Sequence, residues 1–229
     1  MMTKSIFALV GLVLSLSHAS ATIMIGSIND FQDGTPQDWS HGGPSQVPPI
    51  NVADAGPTGT GDHVLHIRTT GVGFGPGSRY IAFNTADAWL GDYGAAGVTG
   101  VRADVRNIGD NALDLRFAVN GPGGWFTTPA IQIAAGTAWQ HHIFSLRPLD
   151  LDYIDGGTSD VDATLAAVNF VQIYSTITPV LGGGNIPIGD VLEGGSAHFD
   201  NFRTVPEPSG LLLASLALLW MGAKRTRRG

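Results

Sequence analysis

The chain has no cysteine among its 229 residues, so disulfide bonds do not hold its fold together. Charged residues are also scarce, at 14% of the composition. Glycine is abundant, with 32 residues, and aspartate is the most frequent charged residue. Both residue types are favoured in turns. This composition predicts short elements of structure joined by many turns.

Lysine is missing between Thr22 and Thr204. This region holds seven arginines, seventeen aspartates and one glutamate, which gives a net charge of −11. A domain of this charge repels nucleic acid and anionic lipid surfaces, so no nucleic acid partner is expected, and it suits cations instead. The aspartate excess also has a local explanation, because aspartate is favoured in turns.

Motifs of the common enzyme classes are absent too. The sequence has no H-E-x-x-H, G-x-S-x-G or P-loop pattern. The pairs His63/His66 and His141/His142 have odd spacings, which put the two members of each pair on opposite faces of a strand. No carboxylate pair stands out among the aspartates. We therefore predict that the protein is not an enzyme.

The first 21 residues predict a cleavable signal peptide. Lys4 supplies an early positive charge, an apolar stretch covers residues 6–16, and the small residues Ala19 and Ala21 follow in the A-x-A pattern of a cleavage site. The alternative is a buried N-terminal strand. The order of charge, apolar stretch and small residues favours export.

The C-terminal segment, residues 205–229, reads VPEPSGLLLASLALLWMGAKRTRRG. Its continuous apolar part, residues 210–223, predicts a short transmembrane helix of about 21 Å, against about 30 Å for a hydrocarbon core. A basic cluster that would stay in the cytoplasm follows it. The segment can therefore stop in a membrane, but it makes a poor permanent anchor.

The combination of Pro206, Glu207 and Pro208 with an apolar helix and an arginine-rich end resembles the PEP-CTERM sorting signal. This family occurs in Gram-negative bacteria, often ones that make extracellular polysaccharide. The resemblance implies cutting near Pro-Glu-Pro by the membrane protease exosortase, with delivery to the cell surface or extracellular matrix. A retained C-terminal anchor is the alternative.

Between these two segments, residues 22–204 predict one domain, an antiparallel β-sandwich. Apolar residues alternate with polar ones in several runs, for example VTGVRADVRN at residues 98–107 and LDLRFAVN at residues 113–120. Residues 108–112 predict a hairpin loop between those two runs. Alternating arginine and aspartate predicts a solvated face with cross-strand ion pairs. Residues 86–90 and 162–167 predict brief helical turns.

The order of elements resembles the jelly rolls of carbohydrate-binding modules and galactose-binding-like domains. The residues that carry the resemblance are DFQDG at 30–34, GDHVLHI at 61–67 and FDNF at 199–202. It implies that the first and last strands pair and that a structural calcium ion lies near them. The candidate ligands are Asp30, Asp33, Asp62 and Asp200, since calcium prefers oxygen ligands. The alternative is that these aspartates bond turn amides.

Four aromatic residues are the candidates for glycan contacts, because sugars stack on exposed rings. Trp125 and Phe126 lie in the glycine-rich stretch GPGGWF, and Trp89 and Tyr93 flank another turn. Trp125 has the alternative of covering one end of the sandwich. Trp39 and Trp139 are expected in the core.

Together these features predict an exported protein that is sorted to the cell surface and acts in the extracellular polysaccharide matrix by binding glycan. Two alternatives stay open at this point. One is a structural matrix component without a specific ligand, and the other is a polysaccharide-modifying enzyme.

Overall fold

A computed structural model describes residues 23–206, apart from residues 27, 183 and 184. The predicted signal peptide, with Ala19 and Ala21, lies outside the described residues. The sorting signal from Glu207 onwards, including the predicted helix at 210–223, lies outside them as well. Within the described part, no helix has the length and apolar character needed to cross a membrane.

The described residues form twelve strands and one short α-helix. The strands are β1 (Ile28–Asn29), β2 (Ile50–Val52), β3 (Val64–Arg68), β4 (Ile81–Asn84), β5 (Val98–Asn107), β6 (Leu113–Gly121), β7 (Gly124–Thr127), β8 (Ile131–Ile133), β9 (Gln140–Ser145), β10 (Asp152–Asp155), β11 (Phe170–Ser175) and β12 (Ser196–Pro206). The helix α1 spans Val161–Leu165, and one-turn 3-10 helices span Asp87–Trp89 and Pro148–Asp150. Helical turns therefore occur at both predicted places.

The strands form two sheets, and their pairings are antiparallel. The first sheet has the order β2-β3-β12-β5-β9, and β1 also pairs with β12. The second sheet has the order β10-β7-β6-β11-β4, and β8 also pairs with β6. This confirms the predicted β-sandwich, including the pairing of the first and last strands.

Alternating residues of β5 show how the core forms. Val101, Ala103 and Val105 are fully buried between the sheets, whereas Arg102 and Arg106 face outward. Each buried side chain of this size stabilises the fold by about 1–3 kcal/mol relative to an exposed one. The period of two in the sequence therefore marks the core face correctly.

Phe202 of β12 lies at the centre of an aromatic cluster. Its ring stacks on Trp39, with 4.9 Å between centroids, and on Phe199, at 5.6 Å. It also meets the edges of Trp89 and Phe31, at 6.3 and 6.4 Å. Rings in such offset or edge contacts stabilise each other beyond the effect of burial alone.

One side chain satisfies both buried indoles of this cluster. The Oδ1 atom of Asn29 accepts a hydrogen bond from Nε1 of Trp39, at 3.0 Å, and another from Nε1 of Trp89, at 2.7 Å. An unpaired indole N–H would cost about 1–3 kcal/mol. Asn29 therefore holds the short strand β1 in place and lets two tryptophans be buried.

A bulge interrupts β12 at Asn201, which has a left-handed φ of 52°. Asp200 pairs with Asp104 of β5, and the next pair joins Arg203 to Arg102, so β12 contains one extra residue. The extra residue lets Phe199 and Phe202, three positions apart, face the same core.

Two local predictions were wrong. Residues 108–112 do not form a hairpin, because β5 pairs in the first sheet and β6 in the second, and the loop crosses between them. The predicted cross-strand ion pairs between arginine and aspartate are absent among the described residues, where the only ion pairs are His141–Asp104 and Arg147–Asp150.

The last strand also runs beyond the predicted domain boundary at Thr204. Val205 pairs with Gly100, and Pro206 pairs with Val98. The first proline of the predicted sorting motif is therefore the final residue of β12.

We predict that Phe202→Ala destabilises the protein by about 3–5 kcal/mol, because it leaves a cavity among four aromatic neighbours. Urea unfolding followed by tryptophan fluorescence measures the change. Phe74→Ala is the control, because that ring is fully exposed and should shift the free energy of unfolding by less than about 0.5 kcal/mol. Equal shifts for the two variants would contradict this account of the core.

Candidate functional site

The four aromatic residues predicted to contact glycan are all buried, with exposed fractions between 0 and 4%. Trp89 is tied to Asn29, and the hydroxyl of Tyr93 donates to the carbonyl oxygen of Trp89 at 2.8 Å. Phe126 belongs to the core between the sheets. The prediction that these rings are exposed is therefore wrong.

Trp125 is buried in a different place from the other three. Its ring lies on the outer face of the second sheet with Ile81, Phe83, Ala118 and Tyr174. Within this stretch the turn is limited to Pro122 and Gly123, and residues 124–126 belong to β7, which explains how the second sheet holds the ring. Trp125 does not cover an end of the sandwich, and its position shows that this outer sheet face is apolar.

Of the two tryptophans predicted in the core, Trp39 is there, with 2% exposure. Trp139 is only half-buried and stacks on His198, at 6.3 Å between centroids. His198 is on the outward side of β12, because its neighbours Ala197 and Phe199 are both core residues. Trp139 therefore lies on the outer face of the first sheet.

Residues 177–182 and 185–190, which we call the covering segment, lie over the outer face of the second sheet. Side chains of the sheet hold this segment by its backbone carbonyl groups. Arg116 donates to the carbonyl of Ile177 at 2.9 Å, Trp125 to that of Asn185 at 2.8 Å, and Gln172 to that of Pro187 at 3.2 Å. Because backbone groups accept these bonds, the segment is positioned with little dependence on its own side chains.

A cleft of about 520 Å³ opens beside the covering segment, at the edge strand β4. Its walls are Ile81 and Phe83 from β4, Ile186 and Ile188 from the covering segment, and residues 74–79. A volume of this size lies within the range of small-molecule and oligosaccharide sites. The apolar walls with a few polar groups at the rim have the character of a binding pocket.

Phe74 stands at this cleft with its ring completely exposed. It sits in the sequence GVGFGPG, where Gly71, Gly73, Gly75 and Gly77 all have positive φ values. No residue of this loop covers the ring, and Val72 within it is exposed as well. A glycine-rich sequence predicted exposed rings at Trp125 and Phe126, but those rings are buried. The same reasoning is correct for Phe74, which the sequence analysis missed.

Polar groups line one side of the cleft. Nη1 of Arg79 donates to the carbonyl of Gly189 at 2.9 Å, which leaves the rest of the half-buried guanidinium for other partners. The ring of His41 is buried, and Nδ1 lies 3.0 Å from Oγ of Ser45. Its Nε2 has no hydrogen-bond partner. Burial lowers the pKa of His41 to about 4, so the ring is neutral at neutral pH.

The aspartates predicted to bind calcium fall into two groups. Asp30, Asp62 and Asp200 lie near one another, together with Asp104, which the sequence analysis missed because only the register of β5 against β12 brings it close. Burial, and then the negative charges of these neighbours, raise the pKa of Asp200 to about 7. Asp33 is exposed and accepts hydrogen bonds from the amide and hydroxyl of Thr35.

The negative charge of this cluster would attract a cation, but its carboxylates are too far apart to hold one together. Within the described ranges, no group of three or more histidine, aspartate or glutamate side chains is close enough to hold one metal ion. Asp62 accepts from Gln32 and Thr58, each at 2.8 Å, and Asp200 accepts from Asn201. Asp33 and Asp62 therefore have the alternative role in this structure, because both accept hydrogen bonds from turn amides.

The sequence matches no protein family model and no curated protein. Solved structures share its fold. One is an exo-β-agarase, with a TM-score of 0.54 and 15% identity over 82% of this chain and 25% of that chain. Another is CtCBM11, with a TM-score of 0.51 and 14% identity over 83% of this chain and 98% of that one.

The chain therefore spans about a quarter of the length of the agarase. At such low identities the likeness shows the fold alone. That fold is the antiparallel sandwich of carbohydrate-binding modules, as the resemblance in the sequence predicted.

Proposed function

We propose that the protein is a non-catalytic module that binds polysaccharide in the cleft beside β4. The observation that carries the proposal is a fully exposed Phe74 at the rim of an apolar cleft of about 520 Å³. Exposed aromatic rings are costly to keep in water and stack well on the apolar faces of sugars. The similarity of the fold to a carbohydrate-binding module supports this choice.

Within the cleft, each group has a distinct task. Phe74 supplies a platform for one sugar ring, and Phe83 forms the apolar floor. Arg79 donates hydrogen bonds to sugar hydroxyls through the guanidinium atoms that Gly189 does not use. His41 stays neutral and helps shape the pocket beneath the loop. No step in this scheme breaks a bond, in keeping with a binding module.

We further propose that this module works outside the cell, in the extracellular polysaccharide matrix. The support comes from the sequence, which has an A-x-A signal peptide ahead of the sandwich and a PEP-CTERM-like segment after it. An exosortase-type protease is the proposed processing partner. The end of β12 at Pro206 puts the proposed cutting region directly next to the folded domain.

We also propose a structural calcium ion between the first loop and β12. Of the candidate ligands, Asp62 and Asp200 are buried. Neither has a positively charged partner among the described residues. A divalent cation would neutralise their repulsion. Binding would need modest side-chain shifts, because Asp62 now bonds Gln32 and Thr58.

We predict that Phe74→Ala weakens glycan binding at least ten-fold, about 1.4 kcal/mol, through the loss of the stacking platform. Affinity electrophoresis of the full chain in gels that contain agarose, β-glucan, xylan or mannan measures it. Leu149→Ala is the matched control, since Leu149 is equally exposed but lies away from the cleft.

Each alternative function has its own outcome in the same experiment. No retardation by any glycan would support a structural matrix component instead. Release of soluble sugar from a glycan would show a polysaccharide-modifying enzyme.

For export, we predict that the protein recovered from outside the cell begins at Thr22. N-terminal sequencing measures this, and an intact Met1 would rule out the signal peptide. Mass spectrometry of the C-terminus then separates cutting near Pro206 from a retained anchor.

For calcium, we predict that the ion raises the thermal midpoint relative to chelator, and that Asp200→Asn abolishes this gain. In chelator, the raised pKa of Asp200 stabilises the folded state fully below about pH 4, and this contribution disappears as the pH rises to about 7. The stability difference between wild type and Asp200→Asn should therefore change by about 4 kcal/mol over that range, since the shift is about three pKa units. Midpoints that are identical with and without calcium would exclude the site.

A further inference from the structure

The register of the first sheet sets like charges opposite one another. Across β5 and β12, Arg102 pairs with Arg203 and Asp104 pairs with Asp200. Opposite charges at directly facing positions stabilise a sheet, and like charges destabilise it. The Arg102–Arg203 pair is therefore a local cost to the fold in the isolated chain.

The arginines of the domain divide into two sets. Arg79 and Arg116 donate to backbone carbonyls, and Arg147 is paired with Asp150. The other four lie on the outward side of β3, β5 and β12, and none of them forms an ion pair within the described residues. These four are Arg68, Arg102, Arg106 and Arg203. An acidic domain thus carries an arginine-rich outer face, which we call the arginine face.

Buried polar atoms without a hydrogen-bond partner mark the same face. The Nε atoms of Arg102 and Arg203, Nε1 of Trp139 and Nδ1 of His198 are buried and have no hydrogen-bond partner. Most buried polar atoms in folded proteins do have a partner. Only two other such side-chain atoms occur in the described part of the chain, and neither belongs to the first sheet.

Aromatic rings adjoin the arginines. Trp139 stacks on His198, with an angle of 29° between the ring planes, and His198 meets the edge of His66 at 4.9 Å. His198 also pairs with Arg106 across the sheet. Burial first, and then neighbouring positive charge, lower the pKa of both histidines, so at neutral pH they are uncharged. The half-buried Trp139 therefore stands beside guanidinium groups on one surface.

The negative charges on this surface are few and largely engaged. Asp104 is paired with His141 and also accepts a hydrogen bond from Asn201 at 2.9 Å. Asp200 is 1% exposed and accepts a hydrogen bond from Asn201. These groups leave the guanidiniums of Arg102 and Arg203 without a carboxylate of the protein.

We propose that the arginine face binds a carboxylate-bearing polysaccharide, separately from the cleft on the second sheet. A guanidinium binds a carboxylate through two parallel hydrogen bonds, and facing guanidiniums on neighbouring strands are close enough to share one. Trp139 offers a platform for a sugar ring. Arg102 and Arg106 are four residues apart on β5, about 13 Å, so a polymer lying along the strand meets both.

A polyuronate suits this face better than other polyanions do. Along the strands, the Asp104–Asp200 pair lies between Arg106 on one side and the Arg102–Arg203 pair on the other. These two carboxylates repel densely charged chains. A polysaccharide with one weakly charged group on each sugar can place carboxylates on the arginines and hydroxyls over the aspartates. The net charge of −11 across the domain opposes any polyanion, and it opposes duplex nucleic acid most strongly because that polymer carries one charge per about 1.7 Å.

Affinity electrophoresis of the full chain in polygalacturonate, and in the same polymer after reduction of its carboxyl groups, tests this inference. We expect retardation by the acidic polymer only, weakening as salt increases. The double variant Arg102→Gln/Arg203→Gln should lose at least ten-fold in affinity. Arg203→Lys, which keeps the charge but loses the planar fork, should fall between it and the wild type.

The controls separate this surface from the cleft and from general charge effects. Arg147→Gln removes one positive charge elsewhere and should bind as the wild type does. Phe74→Ala should also keep its polyuronate binding, whereas the double arginine variant should keep any binding to neutral glycans. The thermal midpoint of the double variant should not fall, because the substitution relieves a repulsion.

Three outcomes would overturn the inference. The first is equal retardation by the acidic and reduced polymers, or by neither. The second is an equal loss of affinity in Arg147→Gln and in the double variant. The third is equally tight binding of a duplex DNA oligonucleotide, which would make the face a general anion surface.

Discussion

The extra residue at Asn201 is the constraint on which both faces of the first sheet depend. Without it, Phe202 would point outward, and the aromatic cluster with Trp39 would lose its centre. Beyond the bulge, Arg203 lies opposite Arg102 and points outward. In a strand without the extra residue, the side chains that follow Asn201 would point to the opposite side of the sheet. One left-handed residue thus builds the core on one side of β12 and sets like charges opposite each other on the other side.

The second sheet follows a different rule, because both of its faces are covered. The inner face belongs to the main core, and the outer face carries a smaller apolar cluster around Trp125 and Tyr174. The covering segment packs on that cluster through Leu181 and Ile186, and a cleft opens beside it at β4. The exposed ring of Phe74 therefore lies on a loop beside the sheet, whereas Trp125, on the sheet itself, is covered.

Alternation predicted the longest neighbouring strands well, since the runs at residues 98–107 and 113–120 match β5 and all but the last residue of β6. Strands of two to four residues, such as β1, β7 and β10, carry too few alternations to be recognised. The site was harder to predict, because exposure is a property of the assembled chain. A glycine-rich stretch buries Trp125 when its neighbours form a strand and exposes Phe74 when they form a loop. Asp104 joins Asp200 only through strand register.

The position of β12 has a consequence for the order of folding. This strand is central in the first sheet, yet all of its partners, β1, β3 and β5, precede it in the chain by roughly ninety residues or more. Such long-range pairing makes folding slow, because distant segments must meet before any of them is stabilised. The first sheet therefore stays incomplete until residues 196–206 have been made. Until then, β3 can pair only with β2 and β5 only with β9, and each lacks its partner on the side where β12 belongs.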